Sequence, residues 1–452
     1  MLPLILLLIF SAIIFSTGLH NPFLSVERKG LLGSPYFTDL GATWERMSTF
    51  RALAYKPLTM FTFAFQFEYF GKSPVSFHLF NIILHLINTV LVWRLSRFFG
   101  ATPLLTAAIF CLHPLQTSGA TLIYGRPYVL GTLFCLIALL YSFKRDKSLI
   151  EFRLSELAIL AILWVLMVTS KQVFVVFPAL LFWGIQNNKH QPLLSSIYAL
   201  TRKHFYLSCL VLTAIALLLV EYAIPYSQTA HVSPWVFFLS QLGNLTRILW
   251  SQFMIPWRTS LLHDLPWYQS FFEIDVLVGL ALFATSIWMA LKYKYTPYGS
   301  LLGAIIIALL PTNSLFPKDQ VVVEWRFYLA MVFYSLLCGS LFHFVMSHTT
   351  KMKRILISFL CASLLTIYSI LTYEQIHQYK TIESAYLDVL QTYPNSLFAL
   401  NDLGNYYRRK GDLEKAEVLL QRALIVAPRS KKVKANLQQV LQLYQAQTKL
   451  PE

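Results

Sequence analysis

The stretch PNSLFALNDLGNYYRRKGDLEKAEVLLQRALIVAP, residues 394–428, differs in kind from the chain that precedes it. Its two prolines, Pro394 and Pro428, lie 34 residues apart, with small and aromatic residues at regular positions between them. A period of this length predicts two antiparallel helices that pack through small side chains. The residues at the predicted packing positions are Leu403, Gly404, Tyr407, Ala416, Leu420 and Ala423.

This period is typical of the tetratricopeptide repeat, a protein-binding module. Because one repeat is small, we expect the flanking stretches 379–394 and 431–444 to serve as its packing partners. Two roles remain open for the module. It could position a protein acceptor, or its basic edge could rest on anionic headgroups. That edge contains Arg408, Arg409, Lys410, Arg429, Lys431 and Lys432.

The remainder of the chain is a series of apolar runs. Of the 452 residues, 56% are hydrophobic and 13% are charged, and a soluble protein would carry roughly twice that charge. The composition therefore predicts a polytopic membrane protein. All five cysteines fall within apolar runs, so we interpret them as small core residues. The net charge of +16 favours anionic lipids and phosphate-bearing substrates over nucleic acid.

Eleven membrane spans are predicted, which gives an all-α membrane helix bundle over residues 1–373 and a helical module over 374–452. The first span has no charged n-region and reads as an uncleaved helix, with a cleaved signal peptide as the alternative. Residues 58–69 are aromatic but too short to cross, so they are expected at the interface. The spans are 2–16, 77–97, 102–119, 127–143, 154–170, 172–187, 205–222, 274–291, 297–311, 328–346 and 355–373.

Short basic connections orient these spans. With eleven crossings, five clusters of lysine and arginine fall on one side, which the positive-inside rule assigns to the cytoplasm. The segment 234–256 is apolar but contains Gln241, Asn244 and Arg247, and is interpreted as re-entrant or interfacial. If it crossed, the last two clusters would change sides. With eleven crossings and 234–256 not crossing, the other connections and the terminal module are expected to face outward, from a bacterial inner membrane in preference to the endoplasmic reticulum.

Polar residues gather at the outward ends of the predicted spans. Arg126, Lys171 and Arg326 could together hold the phosphate of a lipid-linked substrate, since guanidinium and ammonium groups bind phosphate oxygens. The alternative is that each cation snorkels to the headgroups. His113 and Glu324 lie in the same set of connections.

The first outward connection supplies carboxylates. Glu27 could accept a proton from an acceptor hydroxyl as a glycosyl bond to phosphate breaks, with His113 orienting a substrate or the base. Asp39 is a supporting candidate, as are Gln116 and Gln172. The alternative for the acids is that they are solvated loop residues.

A polar stripe follows the second predicted span. His78 and His85 are seven residues apart, and Asn81 and Asn88 lie on the same helical face. The stripe predicts hydrogen bonds between helices. His78 is kept as a supporting site candidate. No metal is expected, because that span has no carboxylates beside the histidines.

Several stretches resemble the tetratricopeptide-containing branch of the membrane GT-C glycosyltransferases, which includes the transmembrane and tetratricopeptide-repeat O-mannosyltransferases. The resemblance is spread through most of residues 20–330 and implies a polyprenyl-phosphate-linked sugar donor and an outward-facing active site. The matching stretches are Lys56-Pro57-Leu58-Thr59, residues 77–85, His113-Pro114-Leu115-Gln116-Thr117, Gly125-Arg126, Ser170-Lys171, His263-Asp264-Leu265-Pro266 and Glu324-Trp325-Arg326-Phe327-Tyr328.

The chain departs from the family pattern at acidic positions. The first loop keeps one acid of a pair, Glu27, and the resemblance implies acids where Ser118, Tyr128 and Gln172 stand. Few carboxylates argue against a divalent-metal mechanism, since hard cations want several oxygen ligands. A metal-independent inverting transfer with Glu27 as base fits this pattern.

Three functions stay open on the sequence. The first is a glycosyltransferase that moves a sugar from a polyprenyl phosphate to a hydroxyl of a protein or glycan. The second is an inactive scaffold of the same fold that recruits partners through its repeat. The third is a transporter of lipid-linked glycans, which would change no covalent bond.

Overall fold

The structure is a computed structural model that describes most of the chain. The described residues are 1–24, 27, 31–33, 35–47, 56–190, 192–203, 212, 215, 232–254, 256, 259–313, 317 and 320–448. They contain helices and no β-strand, which confirms the predicted all-α class. The predicted span 205–222 lies, apart from Leu212 and Ile215, outside the described residues.

The principal helices account for most of the described chain. They are α1 (Leu2–Ser16), α2 (Pro57–Phe70), α3 (Pro74–Leu95), α4 (Pro103–Leu112), α5 (Arg126–Arg145), α6 (Leu154–Ser170), α7 (Phe177–Asn188), α8 (Pro234–Gly243), α9 (Ile274–Lys292), α10 (Pro297–Leu309), α11 (Tyr328–Ser347), α12 (Lys351–Gln378), α13 (Ile382–Thr392), α14 (Leu397–Lys410), α15 (Leu413–Val426) and α16 (Lys431–Thr448).

Shorter helical pieces connect them. They are the α-helical turns Pro35–Thr38, Leu40–Met47, Thr117–Ala120, Leu193–Lys203 and Leu245–Ile248, the 3₁₀ turns Ser96–Phe99, Pro114–Gln116, Ile123–Gly125, Leu149–Glu151, Gln172–Val176 and Glu324–Phe327, and the π-helical turn Leu249–Met254.

Five described helical segments are long and apolar enough to cross a membrane, and five shorter apolar helices accompany them. The chain is therefore a membrane protein. The total of eleven crossings stays a prediction. The five long segments are Pro74–Phe99, Ile123–Arg145, Ile274–Lys292, Glu324–Ser347 and Lys351–Gln378.

Proline marks the start of several helices. It occupies the first position of α2, α3, α4, α8 and α10, where its missing N–H costs no hydrogen bond and its fixed φ suits a helix. The segment 234–256 is broken into α8 and two short turns, with Asn244 between the first two pieces.

The helix predicted over 102–119 ends early. Pro114 disfavours helical geometry at His113, which is extended with φ −69° and ψ 131°, so α4 stops at Leu112. Three short helical turns then carry the chain to α5. The expectation of one continuous helix here is wrong, and the break places the following polar residues in a compact connection.

The polar stripe on α3 binds neighbouring parts of the bundle, as predicted. All four side chains are buried. The bonds join His78 Nε2 to the Asn21 carbonyl oxygen at 2.9 Å, Asn81 to the Leu122 carbonyl at 3.1 Å, His85 Nδ1 to the Tyr328 hydroxyl at 2.8 Å, and Asn88 to the Val129 carbonyl at 3.0 Å.

The terminal module contains the helix pair that the 34-residue period predicts. Gly411, with φ +88°, ends α14 and lets the chain turn directly into α15. Gly404 faces α15 so closely that a Cβ there would lie 2.8 Å from Leu420 Cγ and 3.4 Å from the Ala416 carbonyl oxygen. The small residues therefore set the distance between the two helices. Assignment of the pair to the tetratricopeptide family stays a prediction.

The module packs directly on the connections of the membrane body. One apolar cluster joins Leu24, Leu122 and Leu261 of the body to Tyr379 and Tyr386 of the module. Helix α12 also runs through the predicted boundary at 373–374 and ends at Gln378. The division into two domains stays a prediction, but the first residues of the module share a core with the body.

Candidate active site where the connections meet the module

Glu27 is a buried carboxylate held by backbone donors. One oxygen accepts the Leu24 N–H at 2.9 Å and the other accepts the Tyr124 N–H at 3.1 Å. Only 2% of the residue is exposed. Burial raises the pKa of this carboxyl from 4.5 to about 7, although the N–H groups of Leu24, Tyr124 and Ile123 lower it. Glu27 is therefore poised to exchange a proton near neutral pH.

Tyr124 gathers several of the stretches that the sequence singled out. Besides the bond to Glu27, its ring lies 4.9 Å from the Lys56 ammonium. The Trp325 ring packs edge-on against it with 6.4 Å between centroids. Residues far apart in sequence thus converge on Tyr124. The Lys56 ammonium lies beside the ring of this residue, and the backbone N–H of the same residue binds Glu27.

Arg126, two residues after Tyr124, is fully buried. Its guanidinium donates to Asn81 Oδ1 at 2.8 Å, to the Thr62 hydroxyl at 3.3 Å and to the Phe77 carbonyl at 3.2 Å. It also lies 4.1 Å from the Phe63 ring centroid. These contacts join α2 and α3 to the start of α5. Direct phosphate binding by Arg126 stays a prediction, and a phosphate would have to replace these acceptors.

Lys171 lies near the same end of α2. The Thr59 hydroxyl donates to the Ser170 carbonyl at 2.9 Å, which fixes the turn that carries Lys171. The Lys171 ammonium lies 5.4 Å from the Tyr128 ring centroid. Gln172, next in the chain, is also largely buried. Helix α2 therefore contacts Arg126 through Thr62, and it contacts Ser170, the residue before Lys171, through Thr59.

Arg326 lies in the connection before α11. Its guanidinium donates to the Gln320 carbonyl at 3.2 Å, and the side chain is half-buried. The preceding residue, Trp325, contacts Tyr124. The structure thus brings Lys56 and Trp325 to Tyr124, and it attaches Arg126 to α2 and α3.

Both ring nitrogens of His113 form hydrogen bonds with backbone groups. Its Nδ1 accepts the Leu115 N–H at 3.2 Å, so Nε2 carries the proton and donates to the Phe253 carbonyl at 3.2 Å. The Tyr368 ring packs on it with 4.6 Å between centroids. This arrangement ties the break after α4 to the 249–254 turn and to α12.

The remaining supporting candidates occupy separate places. Asp39 Oδ1 accepts the Ala42 N–H at 2.6 Å and so caps the helix Leu40–Met47. His78 bonds the Asn21 carbonyl within the bundle. Gln116 is fully buried, and its amide finds no hydrogen-bond partner among the described residues.

Glu324 lies at the centre of a second buried group. Its Oε1 accepts the Ser260 N–H at 2.9 Å and contacts His263 Nε2 at 3.0 Å, and its Oε2 accepts from the Gln375 amide at 2.9 Å. A single antiparallel bridge between His263 and Val322 aligns the two connections. Glu324 therefore joins two connections to the end of α12.

This group continues into the terminal module. The Ser260 hydroxyl donates to Asp388 Oδ2 on α13 at 3.4 Å, and His263 Nδ1 lies 3.4 Å from the Tyr393 hydroxyl. Burial raises the pKa of the Asp388 carboxyl. The module thus supplies polar side chains to the connections, in addition to the apolar contacts.

Tyr379 links the two acidic groups. Burial is the main cause that raises the pKa of its hydroxyl far above the ordinary value, and the charges of Glu324, Asp388 and Glu27 add to it. Its hydroxyl also accepts from the Gln375 amide at 3.2 Å. Tyr379 therefore lies within electrostatic reach of three carboxylates from distant parts of the sequence, at the junction of body and module.

Sequence reasoning missed several members of this arrangement. Lys56, His263 and Asp264 lie in stretches already matched to the family, so the signal existed. Tyr379 and Asp388 carried no signal, because only the packing of the module on the body brings them to the connections.

Close packing beside Tyr124 gives a testable consequence. A Cβ on Gly125 would lie 2.5 Å from the Ser118 carbonyl oxygen and 2.8 Å from Gly119 Cα. We expect Gly125→Ala to destabilise the protein by about 1–3 kcal/mol, because backbone must move. The midpoint of thermal unfolding in detergent should fall by several degrees.

Gly184→Ala is the matched control, since its Cβ would meet only the edge of the Phe143 side chain at 3.2 Å. Equal unfolding midpoints for the two variants would contradict the packing described around Gly125.

Among the described residues, no group of three or more histidine, cysteine, aspartate or glutamate side chains is arranged to hold a metal ion. The acids around Tyr379 are bound instead by backbone N–H groups, Gln375, His263 and Ser260.

Comparison with known proteins places these residues in context. No family model matches the chain, and no solved structure matches it. Curated relatives do match. The protein O-mannosyl-transferase TMTC3 of Homo sapiens is 31% identical over 97 residues, 21% of this chain and 10% of that protein.

Two other relatives match over similar lengths. The protein O-mannosyl-transferase F38B6.6 of Caenorhabditis elegans is 30% identical over 101 residues, 21% of this chain and 14% of that protein. The protein O-mannosyl-transferase TMTC1 of Homo sapiens is 35% identical over 91 residues, 19% of this chain and 10% of that protein. The match thus spans about a tenth of each relative's length. Over about a fifth of its length, the chain is similar to the protein O-mannosyl-transferases, which confirms the family resemblance carried by its motifs.

Proposed function

We propose that this protein is a membrane glycosyltransferase. It moves a sugar from a polyprenyl-phosphate donor to a hydroxyl of a protein acceptor on the outer face of the membrane. The names of the similar proteins support transfer to protein, and the apolar helices support a lipid-linked donor.

One observation carries the proposal. Glu27 holds a carboxyl with a pKa of about 7 beside Tyr124, at the point where Lys56 and Trp325 also meet. A general base works best when its pKa is near the working pH. Each Glu27 oxygen accepts a backbone N–H, but a carboxylate oxygen has a second lone pair that can take an acceptor hydroxyl.

The proposed reaction is a single displacement with inversion and without a metal. The acceptor oxygen attacks the anomeric carbon of the sugar while its proton passes to Glu27. The bond from that carbon to the phosphate oxygen breaks, and the polyprenyl phosphate leaves with the electron pair. Developing charge on the phosphate requires fixed cations.

Lys56, Lys171 and Arg326 are the cations proposed to contact the phosphate. Arg126 contributes by fixing the start of α5, because its guanidinium already donates to Asn81, Thr62 and Phe77. His113 acts in the same way, as a residue that positions the connection after α4.

Other residues of the connections and α3 support the site. Gln116 and Gln172 line the connections that carry Arg126 and Lys171. Asp39 and His78 hold the first connection and α3, and Glu324 fastens the connections to α12.

Orientation follows from charge. The five basic clusters would lie on the cytoplasmic side, so the connections around Glu27 and the module packed on them would face out. A bacterial inner membrane is the proposed location. The module would then hold the acceptor above the membrane.

Transfer should depend on pH in a way set by Glu27. Because the base must be ionised and its pKa is about 7, the single-turnover rate should rise to half its plateau near pH 7. Below that, it should fall about tenfold per pH unit. The same raised pKa means that ionisation of Glu27 opposes folding, so its contribution to stability declines between pH 4.5 and about 7.

Rates measured from pH 5 to 9 in proteoliposomes test this. A profile that is flat down to pH 5 would contradict the role of Glu27.

The experiment that tests the function is a product assay. Purified full-length protein in proteoliposomes receives polyprenyl-phosphate-linked sugars and a serine- and threonine-containing peptide, and mass spectrometry follows the peptide. A peptide heavier by one sugar supports the proposal. Donor that crosses the bilayer unchanged would indicate a transporter, and bound but unreacted donor would indicate a scaffold.

A further inference from the structure

Two adjoining cavities lie between the membrane body and the terminal module. Their volumes are about 520 Å³ and about 170 Å³, and both are lined by Asp264 and Leu265. Trp250 and Trp267 contribute from the body, while Tyr393 and Phe398 contribute from the module. Together they form one groove, the junction groove, with walls from two parts of the chain.

Asp264 gives this groove a negative charge. The residue is exposed to the groove, and no hydrogen bond or ion pair reaches its carboxylate from the described residues. The groove walls raise the pKa of this carboxyl by partial burial. Arg247 also lines the larger cavity, but it lies 3.5 Å from Asp275 and donates to the Tyr268 hydroxyl. A cation beside the Asp264 carboxylate would offset the free-energy cost of keeping that charge partly buried.

The groove adjoins the buried group around Glu324. His263, which precedes Asp264, lines the smaller cavity and contacts both Glu324 and the Tyr393 hydroxyl. A chain lying in the groove would therefore pass beside the histidine that contacts the Glu324 carboxylate.

We infer that the junction groove binds an extended segment of the acceptor polypeptide, with a lysine or arginine side chain of that segment against Asp264. The inference rests on the proposed function, since the occupant is the acceptor. Aromatic and apolar walls suit side chains spaced along a peptide. A neutral glycan offers no charge for Asp264, and an anionic lipid headgroup would be repelled by it.

Peptide binding without donor tests the inference. Three fluorescein-labelled, alanine-rich peptides each contain one threonine and differ only in the residue beside it, which is lysine, glutamine or glutamate. Full-length protein in nanodiscs of neutral lipid is titrated into each peptide. Fluorescence anisotropy should show the lysine peptide binding about fivefold more tightly than the glutamine peptide, and the glutamate peptide weakest.

Single substitutions show whether Asp264 causes the charge preference in peptide binding. Asp264→Asn should remove the preference, and Asp264→Lys should invert it in favour of the glutamate peptide. Glu414→Gln, which removes an exposed acid on α15 outside the groove, should leave the wild-type order. Equal affinities for the three peptides, or a lysine preference that survives in Asp264→Asn, would overturn the inference.

The two proposals fail separately. If peptide binding is charge-selective and depends on Asp264 but the product assay shows no sugar transfer, the peptide-binding inference stands and the proposed enzymatic function is contradicted. If sugar is transferred but binding shows no charge preference, the enzymatic function stands and the peptide-binding inference is contradicted.

Discussion

Replacing Glu27 with glutamine should lower the rate of sugar transfer by about 10²–10⁴-fold, because the amide cannot take the acceptor proton. Glutamine has nearly the same shape, and its amide oxygen can still accept one of the two N–H groups that Glu27 binds, those of Leu24 and Tyr124. The other N–H would face an amide NH₂, so a small local adjustment is expected. Binding of the lipid-linked sugar, measured on the same preparation, should persist.

Glu45→Gln provides the matched control in the same connection. Glu45 is exposed on the helix Leu40–Met47, and its replacement should leave transfer within about twofold of wild type. If Glu27→Gln transfers sugar as fast as Glu45→Gln, Glu27 is not the base. If Glu27→Gln loses both expression and donor binding, Glu27→Asp is the second variant, because it keeps the carboxylate on a shorter side chain. A transfer rate of Glu27→Asp that still depends on pH would separate an effect on catalysis from an effect on folding.

Replacing Glu324 with alanine should loosen the module from the body. The change leaves the Ser260 N–H, the His263 ring and the Gln375 amide without their buried acceptor. Unsatisfied buried donors cost about 1–3 kcal/mol each, so a loss of about 3 kcal/mol or more at the junction is expected. Hydrogen exchange should accelerate in residues 260–263 and 379–392, while α15 and α16 should change little.

Glu374→Ala is the control for this change. Glu374 lies on the same helix, one residue before Gln375, but is exposed. Its exchange pattern should match wild type. Unchanged exchange at 260–263 in Glu324→Ala would mean that the Glu324 group does not hold the junction.

Much of the fold could be predicted because local signals decide it. Apolar runs gave the positions of α1, α3, α6 and α9 closely. The 34-residue period located the helix pair of the module. The error over 102–119 has a local cause, since Pro114 breaks the helix and hydropathy alone does not detect it.

The candidate site was harder, because it depends on contacts between distant residues. Motifs identified Glu27, Arg126 and Arg326 individually. The sequence could not show that Arg126 is enclosed by Asn81, Thr62 and Phe77, since that depends on how α2, α3 and α5 pack.

The role of the module was also hidden. Its period predicts a helix pair and a binding surface, but not which part of the body it covers. Tyr379 lies within electrostatic reach of Glu324 and Glu27 because α12 continues beyond the predicted boundary and delivers α13 to the connections. Long-range packing of this kind has no periodic signature.

The central claim is that Glu27 and the proposed cations Lys56, Lys171 and Arg326 face one reacting sugar. A structure of the protein with a phosphonate analogue of the lipid-linked donor and an acceptor peptide tests it most directly. The account predicts the acceptor hydroxyl about 2.6–3.2 Å from a Glu27 oxygen, with the phosphonate between Lys56, Lys171 and Arg326. A donor bound elsewhere, with Glu27 still enclosed by the N–H groups of Leu24 and Tyr124 and no sugar beside it, would contradict the account.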